Sequence, residues 1–127
     1  MADFLAAQRF YAATLEMGIN LLGRIDAEEL ARRVRYFVPV IARAHPDARI
    51  YCTDMYFTGH DLMNDSEKAP AFRHAVQSTL YGLALPNVRY VPGMSLLPDA
   101  LLTQDAVHPS TRGVETIAMN WAKILRE

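Results

Sequence analysis

The stretch that decides the fold is Ala44-His45-Pro46-Asp47-Ala48-Arg49-Ile50-Tyr51-Cys52-Thr53-Asp54. Its first half ends a helix, because the residue before a proline is pushed out of the αR region and His45-Pro46-Asp47 therefore reads as a stop. Its second half starts a strand: Arg49 to Thr53 is short and rich in strand-favouring types. Upstream, Asp26 is an N-cap with Glu29 at capping-box spacing, and Leu30, Val34, Phe37, Val38 and Ile41 fall on one helical face. Pro39 lies inside that pattern and predicts a kink or an irregular turn. An amphipathic helix thus feeds directly into a short apolar strand.

The alternation continues on both sides. Tyr11-Ala12-Ala13-Thr14-Leu15-Glu16-Met17 reads as a strand that stops at Gly18. Beyond the second strand, a polar loop from Asp54 to Asp65 leads to a helix capped by Ser66, with Phe72, Val76 and Leu80 turned inward. Pro86-Asn87 is a turn, Val88-Arg89-Tyr90-Val91 a third strand, and Pro92-Gly93 its end. A long loop reaches His108-Pro109, where Ser110 or Thr111 caps a last helix. Its Val114, Ile117, Ala118, Trp121, Ile124 and Leu125 form a broad apolar stripe. Ala2 to Phe10 reads as the last turns of a further helix. Strand and helix in repeated alternation specify a parallel sheet with right-handed crossovers. Parallel sheets are normally covered on both faces, so about three strands make an incomplete α/β, flavodoxin-like doubly wound fold.

Composition narrows the function classes. The 127 residues are 51% apolar and 21% charged, which excludes a disordered chain and fits one domain over residues 1–127. A formal net charge of −1 leaves no electrostatic footprint for nucleic acid or an anionic membrane. No apolar run approaches a membrane span, and the single cysteine, Cys52, excludes a disulfide framework. Met1-Ala2-Asp3-Phe4 has no basic region ahead of an apolar run, so a cytoplasmic location is expected.

In open α/β sheets, ligands bind beyond the carboxyl ends of the strands. Three loops leave those ends. The first carries Gly18-Ile19-Asn20, the second Asp54, His60 and Asp61, and the third Asp105 and His108. An amide donor at Asn20, placed by a sharp turn at Gly18, suits a developing oxyanion, although a turn residue bonding its own backbone fits the same letters. Asp105, three residues ahead of His108, is spaced to fix the imidazole tautomer and leave the other nitrogen as a base; a solvated turn residue beside a helix start is the alternative. His60 and Asp61 with Asp105 and His108 match no specific metal spacing. Cys52 reads as a buried, inert thiol, Ser110 as a cap, and His45 and His74 as ordinary surface or helix-end residues.

Asp105-x-x-His108-Pro109, followed by Ser110, Gly113 and an apolar helix, resembles the last signature block of the SGNH (GDSL-like) hydrolases. Glu16-Met17-Gly18-Ile19-Asn20 resembles their Gly-x-Asn block, and the helix to Pro46 and strand to Thr53 are similar to the segment between. The resemblance runs from about Tyr11 to Leu125. It implies a serine ester hydrolase without metal or cofactor, acting on a small ester, with His108 as general base, Asp105 orienting it and Asn20 as oxyanion donor at the Gly18 turn. Two departures stand out. The family's Gly-x-Asn is commonly followed by Asp, where this chain has Leu21. Its nucleophile lies in a Gly-Asp-Ser block after the first strand, with a glycine oxyanion donor in a second block, and neither occurs here, since no serine precedes Ser66. The resemblance therefore implies the carboxyl-terminal part of such an enzyme, lacking the first two family strands and inactive alone. The alternative is a non-catalytic α/β module that binds a ligand or protein through the same loops. Either way, the strand at 11–17 should be an open edge beside apolar surface, prone to self-association or to pairing with a partner segment.

Overall fold

Asp26 accepts a hydrogen bond from the Glu29 N–H at 2.8 Å, and the helix that it caps runs unbroken over Ala27–Ala44. Eighteen residues of helix carry the chain to Arg49–Thr53, the strand at the centre of the sheet. These assignments come from a computed structural model that describes residues 1–63 and 67–127. In chain order the elements are α1 (Ala2–Ala6), β1 (Ala12–Glu16), α2 (Ala27–Ala44), β2 (Arg49–Thr53), α3 (Lys68–Leu83), β3 (Val88–Val91), α4 (Gly93–Leu96) and α5 (Thr111–Ile124). Short 3₁₀ turns at Ile19–Leu21 and Gly59–Asp61 follow β1 and β2.

The sheet is parallel, in the order β1-β2-β3. Its register sets Leu15 beside Cys52 and Cys52 beside Tyr90, so these side chains share one face. That face carries the main core. Leu30, Val34, Val38 and Ile41 of α2 meet Phe72, Val76 and Leu80 of α3 over Ile50 and Cys52. The inward residues expected for α3 are thus the ones buried; Ser66, expected as its cap, lies outside the described residues. On the opposite face Tyr51, Val91 and Leu96 pack with Trp121 and Ile124 of α5. The Tyr51 and Trp121 rings meet edge to face, centroids 6.0 Å apart.

Five expectations need correction. Pro39 does not introduce an irregular turn: it is buried within α2, and the helix runs on to Ala44 despite the one hydrogen bond that its missing N–H forfeits. The N-terminal helix is one short turn ending at Ala6, and His45 contacts both Leu5 within it and Phe10 beyond it. His45 is therefore not an ordinary helix-end residue; its ring lies 4.1 Å from that of Phe10 and its Nε2 is 3.2 Å from the Leu5 carbonyl. The loop after β3 is not irregular throughout, because Gly93–Leu96 is helical. Finally, the α5 stripe is wider than the surface that it meets. Trp121 and Ile124 are half-buried, but Val114 is 56% exposed and Ala118 and Leu125 also face solvent.

The first strand forms an open edge among the described residues, paired only with β2. Its Ala12, Thr14 and Glu16 are exposed, while Ala13 and Leu15 are half-buried. Beside it an apolar groove of about 570 Å³ runs between the strand's end and α2, walled by Met17, Leu21, Val34 and Phe37. No helix among the described residues is long and apolar enough to cross a membrane.

Candidate active site

Where β1 ends, the chain must turn within a single residue. Gly18 does so at φ 130°, a conformation that side chains resist, and a Cβ there would lie 2.8 Å from Met55 Cγ. The Gly18 carbonyl then accepts from the N–H groups of Leu21 and Leu22 at 2.9 and 3.1 Å. The turn is satisfied by its own backbone. Asn20 is exposed, and its side-chain amide has no hydrogen-bond partner among the described residues. It is not bonded back to its own turn.

The Asp105 to His108 turn is closed by one carboxylate. Asp105 Oδ1 accepts from the N–H groups of Val107 and His108, both at 2.9 Å, and from the Thr103 hydroxyl at 2.7 Å. Oδ2 lies 2.5 Å from His108 Nδ1, so that nitrogen carries the proton and donates. These donors, the His108 N–H first and its ring second, hold the Asp105 carboxyl far below the usual carboxylate range. His108 Nε2 makes no hydrogen bond to the described residues.

The two turns meet. Asn20 and His108 line one cleft of about 140 Å³, together with Glu16, Tyr56, Thr58 and Val107. Glu16 is exposed as a residue and lines both this cleft and the apolar groove beside β1. Burial raises its pKa, the Ile19 N–H that it accepts opposes the shift, and the Asp54 charge adds to it. Burial likewise raises the Tyr56 phenol, against a hydrogen bond from Trp121.

The remaining polar residues of the strand-end loops are placed differently. Asp54 is fully buried and bonded to Tyr90 and Gly93, away from the cleft. Asp61 pairs with Arg73 through both carboxylate oxygens at 2.7 and 2.8 Å; burial pushes its carboxyl up, but the Arg73 and Thr58 donors prevail and leave it below the ordinary value. Among the described residues no three His, Cys, Asp or Glu side chains gather as a metal site. The Ser110 hydroxyl donates to the Leu101 carbonyl at 3.0 Å and accepts from the Gly113 N–H at 3.2 Å, the geometry of a helix cap. Cys52 is fully buried, and burial pushes its thiol up to about 12.

Similar architectures occur among solved structures. A GDSL-like lipase from Bacteroides ovatus matches 98% of this chain at a TM-score of 0.80 and 21% identity. A salicylyl-acyltransferase from a tetracycline biosynthetic pathway matches 96% at 0.79 and 20% identity. A carbohydrate esterase family 3 protein from Talaromyces cellulolyticus matches 98% at 0.76 and 16% identity. The fold is that of the SGNH (GDSL-like) hydrolases, in part. The chain spans 39% of the first two of these structures and 61% of the third. No protein-family model matches the sequence, and no curated protein matches it.

Within this SGNH fold, Gly18, Asn20, Asp105 and His108 come together at the ends of the strands. Four further residues shape the site without having been singled out in the sequence for it. Glu16 and Tyr56 wall the cleft, Gly59 touches the Asp105 turn, and Arg73 anchors the loop between β2 and α3. Of these only Glu16 had a local signal, its place two residues before Gly18.

Proposed function

We propose that the chain is the carboxyl-terminal part of an SGNH-type serine ester hydrolase, a single partial domain acting on a small ester once completed. The observation that carries this reading is the shared cleft, with Asn20 on one wall, His108 on the other, and Asp105 at 2.5 Å from His108 Nδ1. In that role His108 Nε2 removes the proton from a serine hydroxyl as it attacks the ester carbonyl, and later returns it to the leaving alkoxide. Asp105 holds the tautomer and stabilises the imidazolium. Asn20 donates its free amide to the oxyanion as charge develops, and Gly18 lets the turn place it there. No metal or other cofactor has a part in these steps.

The nucleophile comes from outside this chain. Among its own described serines, Ser110 spends its proton on Leu101, Ser95 on Pro92 and Ser78 on Ala75. On this reading the chain alone has no serine-esterase turnover, and the engaged hydroxyls of these three described serines also fit the second reading, a non-catalytic module that binds through the strand-end loops. The open edge at β1 is where a completing segment, or a second copy, would pair.

The test is p-nitrophenyl ester hydrolysis by the chain and by a form extended with the sequence encoded upstream, each beside its His108→Ala variant. Turnover in the extended form, abolished in His108→Ala, is expected. Loss of a triad member leaves only about 10³ to 10⁴-fold of catalysis over water. An extended form that is inactive, or one indifferent to His108→Ala, overturns the hydrolase reading in favour of the module.

A further inference from the structure

The Asp105 to His108 turn is bonded almost entirely to itself. The Thr103 N–H donates to the His108 carbonyl at 2.8 Å and the Ala106 N–H to the Thr103 carbonyl at 3.0 Å. Among the described residues, one hydrogen bond ties residues 103–108 to the rest of the fold: the Gly59 N–H donates to the Ala106 carbonyl at 2.6 Å. Contact there is close. A Cβ on Gly59 would lie 2.6 Å from that of Ala106, which itself sits at φ 57° at the apex of the turn. Where Gly59 is held, His108 is held.

Gly59 belongs to the loop between β2 and α3, and one side chain pins that loop. Arg73 of α3, 14% exposed, places Nη1 and Nη2 on the two oxygens of Asp61 at 2.7 and 2.8 Å. Its Nε donates to the Met55 carbonyl at 3.0 Å and its Nη2 also to the Tyr56 carbonyl at 2.8 Å. Asp61 in turn accepts from the Thr58 N–H at 2.9 Å, and the Thr58 hydroxyl accepts from the His60 N–H at 3.2 Å. The guanidinium therefore fixes both ends of the loop, and the Thr58–Asp61 capping box fixes Gly59 between them.

We propose that Arg73 is a positioning residue: through Asp61, Thr58 and the Gly59 to Ala106 hydrogen bond, it sets the imidazole of His108 opposite Asn20 and Tyr56. The inference rests on the reading of His108 as the base, and extends it to a residue that touches neither substrate nor reacting atoms. Lysine cannot replace arginine here, because one ammonium cannot span a carboxylate and two carbonyls in fixed directions.

The experiment uses the chain as it stands, by NMR, with Arg73→Lys and Asp61→Asn. Three signals are read: exchange of the Gly59 amide, the His108 imidazole resonances, and the Nδ1 proton shared with Asp105. Both variants should exchange Gly59 about ten- to a hundredfold faster, the effect of losing a charge-assisted hydrogen bond. The His108 carbon-bound ring signals should move with it, while the Nδ1 proton and the core methyls of Leu30 and Val34 stay in place. If Arg73→Lys fails to fold, Asp61→Asn, which keeps the Met55 and Tyr56 bonds, carries the test. Unmoved Gly59 and His108 signals in a folded variant overturn the proposal, and so does a general shift that includes the core methyls. A wild-type chain without the Nδ1 proton would instead count against the Asp105–His108 reading, leaving the Gly59 exchange to report on Arg73.

Discussion

The phenol of Tyr90 donates to a carboxylate oxygen of the buried Asp54 at 2.5 Å, and the Gly93 N–H donates to the other at 2.6 Å. This pair ties the end of β2 to β3 and to the start of α4. Burial still raises the Asp54 carboxyl above its ordinary value, against the pull of Tyr90, Gly93 and the Arg73 charge.

Tyr90→Phe should therefore destabilise the fold by about 1.5–3 kcal/mol at neutral pH, the loss of a hydrogen bond to a charged group. A carboxyl raised in the folded state favours the fold below its unfolded pKa and loses that advantage as pH rises through the folded one. Removing Tyr90 raises the folded value further. The gap between Tyr90→Phe and the parent should thus widen from about pH 4 towards neutrality. Urea denaturation at both ends of that range checks it; a gap that narrows with rising pH would contradict the account.

Asp105 behaves with the opposite sign. Its carboxyl is held far below the ordinary range by the His108 N–H and ring, so its contribution is present above the unfolded pKa and disappears as pH falls through the folded one. Asp105→Asn should melt below the parent at neutral pH, and the difference should close in acid below about pH 4. The pair is exposed to solvent, so salt should also shrink the effect. Thermal melts across pH and ionic strength decide the matter, and a difference independent of both would count against it.

Gly18→Ala meets two obstacles. At φ 130° a Cβ is strained, and it would lie 2.8 Å from Met55 Cγ and 3.3 Å from its sulfur. Met55 is fully buried and has little room to withdraw. A loss of about 1–3 kcal/mol is expected by denaturant titration. A variant within about 0.5 kcal/mol of the parent would place this turn among ordinary surface positions.

What was legible in the sequence was local. The period of Leu30, Val34, Val38 and Ile41 announces a buried helix face, and Asp105 reaches His108 within a single turn, so both could be read in order along the chain. Arg73 could not, because its bonds to Asp61, Tyr56 and Met55 cross 12 to 18 residues and depend on how α3 is rotated over the loop. Asp54 looked like its polar neighbours until burial separated it from them. The apolar letters of α5 were equally clear, but letters do not say how wide a surface lies opposite, and Val114 and Leu125 are left facing water. His45 looked like punctuation at a helix end; its ring contact with Phe10 spans too much chain for spacing to reveal.

Ser110 offers the last test, since it stands two residues from His108 and is the serine nearest the base in sequence. Its hydroxyl is engaged twice, donating to the Leu101 carbonyl and accepting from the Gly113 N–H, at the start of a helix whose Gly113 leaves no room for a Cβ against Leu101. Ser110→Ala should cost about 0.5–2 kcal/mol of stability, as the loss of an N-cap does. A fluorophosphonate probe should leave Ser110 unlabelled in the parent chain, because its proton is aimed at Leu101 and not at His108 Nε2. Rapid, His108-dependent labelling mapped to Ser110 would make it the nucleophile and the chain an enzyme by itself.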